Sequence, residues 1–148
     1  MQKKKAIEEG LKQALKSQDK VKISVYRILL TQIKNKEIEK GKELTEGEIY
    51  QIVKSLIKQH EESIESFKKG ERQDLVKKEE KELEILKELL PPPLTHDEIE
   101  RIVEDTIRNV GAKDKKDLGK VMKLIMENYP GRIDGKTLNE MVLKRLSQ

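Results

Sequence analysis

Apolar residues recur along this chain at helical spacing, and the pattern breaks into seven stretches. From Lys3 to about Ser17, the set Ile7, Leu11, Ala14 and Leu15 falls at i, i+4, i+7 and i+8, which predicts one amphipathic helix. Asp19 is placed to cap a second helix bearing Val21, Val25, Ile28, Leu29 and Ile33, with Tyr26 and Leu30 widening the stripe until Gly41 supplies a stop. Thr45 and Glu48 make a capping box, each side chain positioned to accept an otherwise unpaired amide of the other. The third stripe follows, as Ile49, Ile52, Val53, Leu56, Ile57, Ile64 and Phe67, and runs to Gly70. Phe67 is expected to be the large plug of an otherwise aliphatic core. Arg72 and Asp74 then read as a structural turn, with Asp74 capping a fourth helix through Leu75, Leu83, Leu86 and Leu90.

Three consecutive prolines, Pro91 to Pro93, cannot continue that helix, because each lacks an amide and restricts its predecessor, so a boundary is expected there. Thr95 and Glu98 form a second capping box, ahead of Ile99, Ile102, Val103, Thr106, Ile107 and Val110, which end at Gly111. Asp117 is placed to cap a short helix of Leu118, Val121, Met122 and Ile125, stopped by Asn128 to Gly131. Asp134 is placed to cap the last, with Leu138, Met141, Val142 and Leu146 turned inward. The expected fold is all-α: an N-terminal bundle of about four helices over 1–90, a proline-rich turn, and a small three-helix domain within 91–148.

Composition agrees with helices and narrows the partners. Charged residues are 41% of the 148, mostly Lys and Glu, and the chain has one Phe and no Trp. A hydrophobic content of 34% is low enough to suggest a disordered polyelectrolyte, but a net charge of +4 and regular apolar spacing favour a folded core. Without cysteine there is no disulfide, thiolate metal site or Cys nucleophile. No apolar run approaches the roughly 20 residues that span a bilayer, and no signal-like apolar segment opens the chain, so no membrane partner and a cytoplasmic location are expected. The Lys and Glu abundance also matches the surface pattern of hyperthermophile proteins.

Catalytic patterns are missing. Gly131 to Thr137, GRIDGKT, resembles a nucleotide phosphate loop in outline, but it has three residues between its glycines where that loop has four, and no strand is predicted before it. His60 and His96 are the two histidines, too far apart in sequence for a zinc-protease motif, and both are expected to be solvated on charged helices. No serine lies in a nucleophile elbow, and the glutamates read as solvated faces. We therefore expect no catalytic residue, no metal ligand set and no cofactor.

The basic residues near the C-terminus are more informative. Residues 94 to 148 hold 11 Lys and Arg against 10 Asp and Glu, so bulk charge decides nothing and placement has to. Lys113, Lys115, Lys116, Lys120, Lys123, Arg132 and Lys136 gather around two predicted helix starts, where free amides and the helix dipole favour an anion. Gly119, Gly131 and Gly135 lie beside them and permit close backbone approach. Asp117 and Asp134, as expected caps, compete with phosphate for the same amides, which leaves contact mainly to the basic side chains. The same residues also fit an ordinary solvated lysine-rich surface with glycine as helix punctuation. With 3% aromatic residues, base stacking along a single strand is disfavoured, and shape reading of a folded RNA fits better.

These residues resemble the GatB/YqeY family through essentially the whole chain. The signature appears as Arg27 with Leu30, Ile33 and Glu37; Leu44, Thr45 and Glu48; Glu62, Ser63, Ile64 and Phe67; and Gly70, Arg72, Asp74, Leu75 and Glu79. It continues as Leu90, Pro91 and Leu94, then Gly111, Ala112, Gly119, Lys120, Val121, Met122, Met126, Gly131, Arg132, Asp134 and Gly135. Two departures are three prolines where one is usual and Ile133 where a small alanine is common. The resemblance implies a helical bundle joined to a three-helix tail like that of the B subunit of glutamine-dependent aspartyl/glutamyl-tRNA amidotransferase, whose tail recognises the outer part of tRNA. It makes Lys120, Arg132, Gly119, Gly131 and Gly135 candidates for tRNA contact, to which placement adds Lys123 and Lys136. The kinase-like part of that subunit has no counterpart here. The expected function is that of a non-catalytic helical protein that binds tRNA or accompanies tRNA amidation. The alternatives are a docking module for an amidotransferase or synthetase, and a component of a carbon–nitrogen ligase with glutamine as amido-N-donor.

Overall fold

The computed structural model describes residues 2–147. Its helices are α1 (Gln2–Ser17), α2 (Lys20–Lys40), α3 (Glu46–Lys69), α4 (Gln73–Glu88), α5 (His96–Val110), α6 (Leu118–Asn128) and α7 (Gly135–Leu146), with a 3-10 turn at Lys115–Asp117; no strand occurs among the described residues. The fold is all-helical. The chain divides into two compact units, one up to Leu90 and one from Pro91 onward, each with its own apolar core.

In the first unit three predicted helix ends are made as their chemistry demands. Asp19 accepts from the Lys22 amide, Gly41 takes a left-handed φ of 78° and closes α2, and Thr45 and Glu48 form a complete capping box. Val25, Leu29 and Ile33 of α2 pack with Ile7 of α1, with Ile49, Val53 and Leu56 of α3 and with Leu86 of α4. Gly10 lets α2 approach α1, since a Cβ there would stand 3.0 Å from the Tyr26 ring. Lys4 bonds Glu37 at 2.7 Å, and Glu37 also accepts the Leu44 amide, tying α1, α2 and the loop before α3 together.

Several expected positions shift. Leu15 and Ile28 are exposed, because Ile7 with Ala14 and Val25 with Leu29 already fill the inner faces of α1 and α2. Phe67 is half-buried near the end of α3 and is not the core plug; the buried aromatic is Tyr50, whose hydroxyl donates to Glu46 at 2.8 Å. Burial first, and that bond second, push the Tyr50 phenol up to about 12. Asp74 does not cap α4, which starts one residue before it; its carboxylate pairs with Arg72 at 3.3 Å. The buried face of α4 is Val76, Glu82, Ile85 and Leu86, while Leu75, Leu83 and Leu90 are half-buried.

In the second unit Thr95 and Glu98 form the predicted capping box, and Gly111 closes α5 with a left-handed φ of 69°. Ile99, Val103 and Ile107 of α5 meet Val121 and Ile125 of α6 and Leu138, Val142 and Leu146 of α7. Ile133 is 2% exposed, so the branched side chain before α7 is a core residue.

Candidate nucleic-acid interface

The candidate residues occupy four settings: the start of α6, its outer face, the turn between α6 and α7, and the start of α7. At the start of α6, Asp117 is not the expected cap. It already has helical backbone angles and makes no side-chain bond to the helix; its carboxylate turns back to accept the Lys113 amide at 3.0 Å. Asp114 instead caps the preceding 3-10 turn by accepting the Lys116 amide at 2.9 Å. The first turn of α6 therefore has no acidic cap competing for an anion. At α7 the expectation holds, with Asp134 accepting from both the Thr137 amide and its hydroxyl.

The three glycines separate into two kinds. Gly131 has a φ of 75°, a conformation that disfavours side chains, so the fold itself requires it. Gly119 and Gly135 have no such angle, lie in the first turns of α6 and α7, and would present a Cβ to open space with no atom within 4 Å. Among the described residues, no contact demands glycine at either position.

Arg132 carries a structural task. Its Nε donates to the Pro92 carbonyl at 2.9 Å, and its own carbonyl accepts the Leu94 amide at 3.0 Å, which fastens the start of the unit to the turn before α7. Its charge also helps hold the Glu98 carboxyl below the usual range, after the larger effects of the Thr95 amide and hydroxyl. By contrast Lys120, Lys123 and Lys136 are exposed and have no ion-pair partner among the described residues. Two arginines of the same unit are paired instead, Arg145 with Glu104 and Arg108 with Asp105. The Arg145 bond is the main reason the Glu104 carboxyl is held below the usual range.

Helix length sets the scale. Eleven residues make α6 about 16 Å long. Gly119 and Lys120 thus stand at one end of α6, while Gly131, Arg132, Gly135 and Lys136 follow its other end, with Lys123 between. The structure does not bring the candidates to one point. A single phosphate cannot touch both groups; a polyanion lying along the helix can.

One cluster escaped the sequence reading. His60 is not solvated: its side chain is 13% exposed, between α3 and α4, beside Glu79 (22%) and Glu82 (7%). The signal was available, since His60 continues the i+4 steps from Leu56 to Ile64, and Glu82 interrupts the stripe between Val76 and Ile85. His96 is exposed as expected.

The class of protein follows from comparison with known sequences. Residues 4–146 match the family described as Yqey-like protein, and the chain belongs to that family. Among its relatives, "Altered inheritance of mitochondria protein 41, mitochondrial" of Kluyveromyces lactis is 32% identical over 136 residues, 90% of this chain and 70% of the relative. The protein of the same name from Saccharomyces cerevisiae is 33% identical over 129 residues, 86% of this chain and 68% of the relative. That of Lachancea thermotolerans is 42% identical over 85 residues, 57% of this chain, and the match spans about half of the relative, 46%. Those names place the relatives in mitochondria. In this chain, among the described residues, no helix is long and apolar enough to cross a membrane.

Proposed function

We propose that this chain is a non-catalytic helical protein that binds a folded RNA, with tRNA as the expected partner, through the outer surface of α6 and the starts of α6 and α7. The second unit is read here as the counterpart of the amidotransferase B-subunit tail, and the cytoplasm as the compartment. One observation carries the reading: Lys120, Lys123 and Lys136 have no acidic partner among the described residues and flank Gly119 and Gly135, two glycines whose added Cβ would meet open space. Lysines with no intramolecular partner are available to phosphate, and backbone without side chains at a helix start permits close approach of an anion. The spread over about 16 Å fits a polymer better than a mononucleotide. Sparse aromatic residues favour shape and backbone contacts over base stacking.

The test is charge reversal. Lys120→Glu, Lys123→Glu and Lys136→Glu are titrated with unfractionated tRNA at several salt concentrations. Each lost phosphate contact is expected to weaken binding and flatten the log–log salt slope by about 0.7–0.9. Unchanged affinity and slope in the triple variant would remove this surface from the account.

A second reading, docking on an amidotransferase or synthetase, draws on the first unit, where exposed Leu15 and Ile28 border a groove with Ile23 and Arg27. Pull-down after nuclease treatment separates the readings. A synthetase or amidotransferase retained without RNA favours docking, and loss of every partner favours RNA.

A further inference from the structure

The His60, Glu79 and Glu82 side chains belong to the first unit, whereas every residue assigned to RNA belongs to the second. Glu82 is the single charged residue in the buried set among the described residues, 6% exposed, and its one ion-pair partner there is His60. A buried carboxylate is unfavourable unless a positive group meets it. The imidazole as oriented does not supply one by itself. Its Nδ1 lies 2.8 Å from the Leu56 carbonyl, which can only accept, so Nδ1 carries a hydrogen and donates. Neutral His60 therefore points an Nε2 lone pair at Glu82 Oε2, 3.2 Å away, and at Glu79 Oε2, 3.5 Å away. Three acceptors face one another, and a cation has to stand among them.

That cation is either a proton, held on Nε2 or on a carboxylate, or a metal ion. A charge-assisted bond from a protonated ring to a carboxylate is about 2.7–2.9 Å long. The Glu82 separation is that of an ordinary hydrogen bond, and the Glu79 separation is longer. Ligands about 2.0–2.2 Å from a tetrahedral zinc ion stand roughly 3.3–3.5 Å from each other, close to the two distances observed. All three donor atoms lie within 4.8 Å of one another. The outer contact also fits, since a histidine that binds metal ordinarily donates its other ring N–H to a carbonyl or carboxylate, as His60 does to Leu56. One imidazole and two carboxylates suit a first-row divalent ion better than calcium or magnesium, which prefer oxygen alone.

We propose that His60 Nε2, Glu79 and Glu82 bind one divalent transition-metal ion, with zinc as the best fit, and that the ion clamps α3 to α4. The ion replaces the missing positive charge at the buried Glu82, with water completing its coordination. Its ligands come from two packed helices, and the small cavity beside His60 and Glu82 is lined by the apolar Val25, Ile28, Leu56 and Leu86, so the ion's part is to join the helices.

The experiment uses the full chain without an affinity tag, stripped with chelator and titrated with Zn²⁺ by calorimetry, with thermal unfolding followed in parallel. One equivalent of tight binding and a rise in unfolding temperature are expected. His60→Gln and Glu82→Gln should each lower affinity by more than the roughly 10–100-fold that loss of an outer-shell partner causes. His96→Gln, which removes the histidine of the exposed cluster with Asp97 and Glu100, should leave binding unchanged. Should either buried-site variant fail to fold, ¹¹³Cd NMR of the ¹⁵N-histidine-labelled wild type decides, through coupling of the metal to His60 Nε2. No zinc uptake by the wild type, uptake unaltered in a folded His60→Gln, or no such coupling would leave the cluster held by a proton and overturn the proposal.

Discussion

Replacing Gly119 and Gly135 with alanine, singly and together, separates what the fold requires from what a ligand requires. Both glycines sit in first helical turns, neither has a left-handed φ, and a Cβ at either meets no atom within 4 Å. Alanine should then stabilise the chain by about 0.4–1 kcal/mol per site, because the unfolded chain loses freedom while the native state accepts the methyl group. For a unit of this size 1 kcal/mol moves the midpoint by about 4–8 °C, so each substitution should raise it by roughly 2–8 °C. RNA affinity should move the other way. A methyl group that displaces one phosphate from a backbone amide removes a charged hydrogen bond worth about 1.5–3 kcal/mol, so affinity falls about tenfold or more. Calorimetric unfolding and fluorescence anisotropy with labelled tRNA read the two effects on one preparation. Alanine variants that are more stable yet bind RNA as before would refute the idea that these glycines exist for a ligand. Variants that are less stable would show that the fold itself needs them.

The remaining predictions concern the cores and helix caps of the two units. Leu138 is 0% exposed in the core of the second unit, so Leu138→Ala should lower stability by about 2–5 kcal/mol, measured by urea unfolding. Thr95→Ala removes the hydroxyl half of the α5 capping box and should reduce stability by about 1 kcal/mol, with hydrogen exchange rising in the first turn of α5. The Lys40 side chain first, and the Thr45 amide second, hold the Glu48 carboxyl at about 2, below its ordinary 4.5. Stability from these contacts is present above about pH 4.5 and is lost as pH falls through about 2. Glu48→Gln should therefore be less stable than wild type at neutral pH, with the difference closing between those values in acid unfolding followed by circular dichroism.

Helices, most of their caps and most of their inner faces were legible because each rests on a local rule. Thr45 with Glu48, Thr95 with Glu98, and the glycines at 41 and 111 need only a few residues of context to define a helix end. What failed depends on packing between helices. Whether Leu15 or Ala14 turns inward is decided by how closely α2 approaches, and Gly10 against Tyr26 sets that approach. Asp117 followed the general preference for acidic caps, yet the 3-10 turn in front of it had already placed it inside helical geometry. The candidate surface was legible as a set of charges but not as a shape. Spacing along the chain puts Lys120 and Arg132 twelve positions apart, and only the length of α6 shows that they flank a rod instead of one pocket. The His60 cluster was visible as two polar interruptions of apolar stripes, but their pairing across α3 and α4 required the fold.

The central claim is that a folded RNA is the partner. Crosslinking the full chain in cells to total RNA, followed by sequencing of the bound fragments, tests it directly. The account predicts enrichment of tRNA, with crosslinked peptides from α6 and the start of α7. Recovery of no tRNA above background, or crosslinks confined to the first unit, would contradict it.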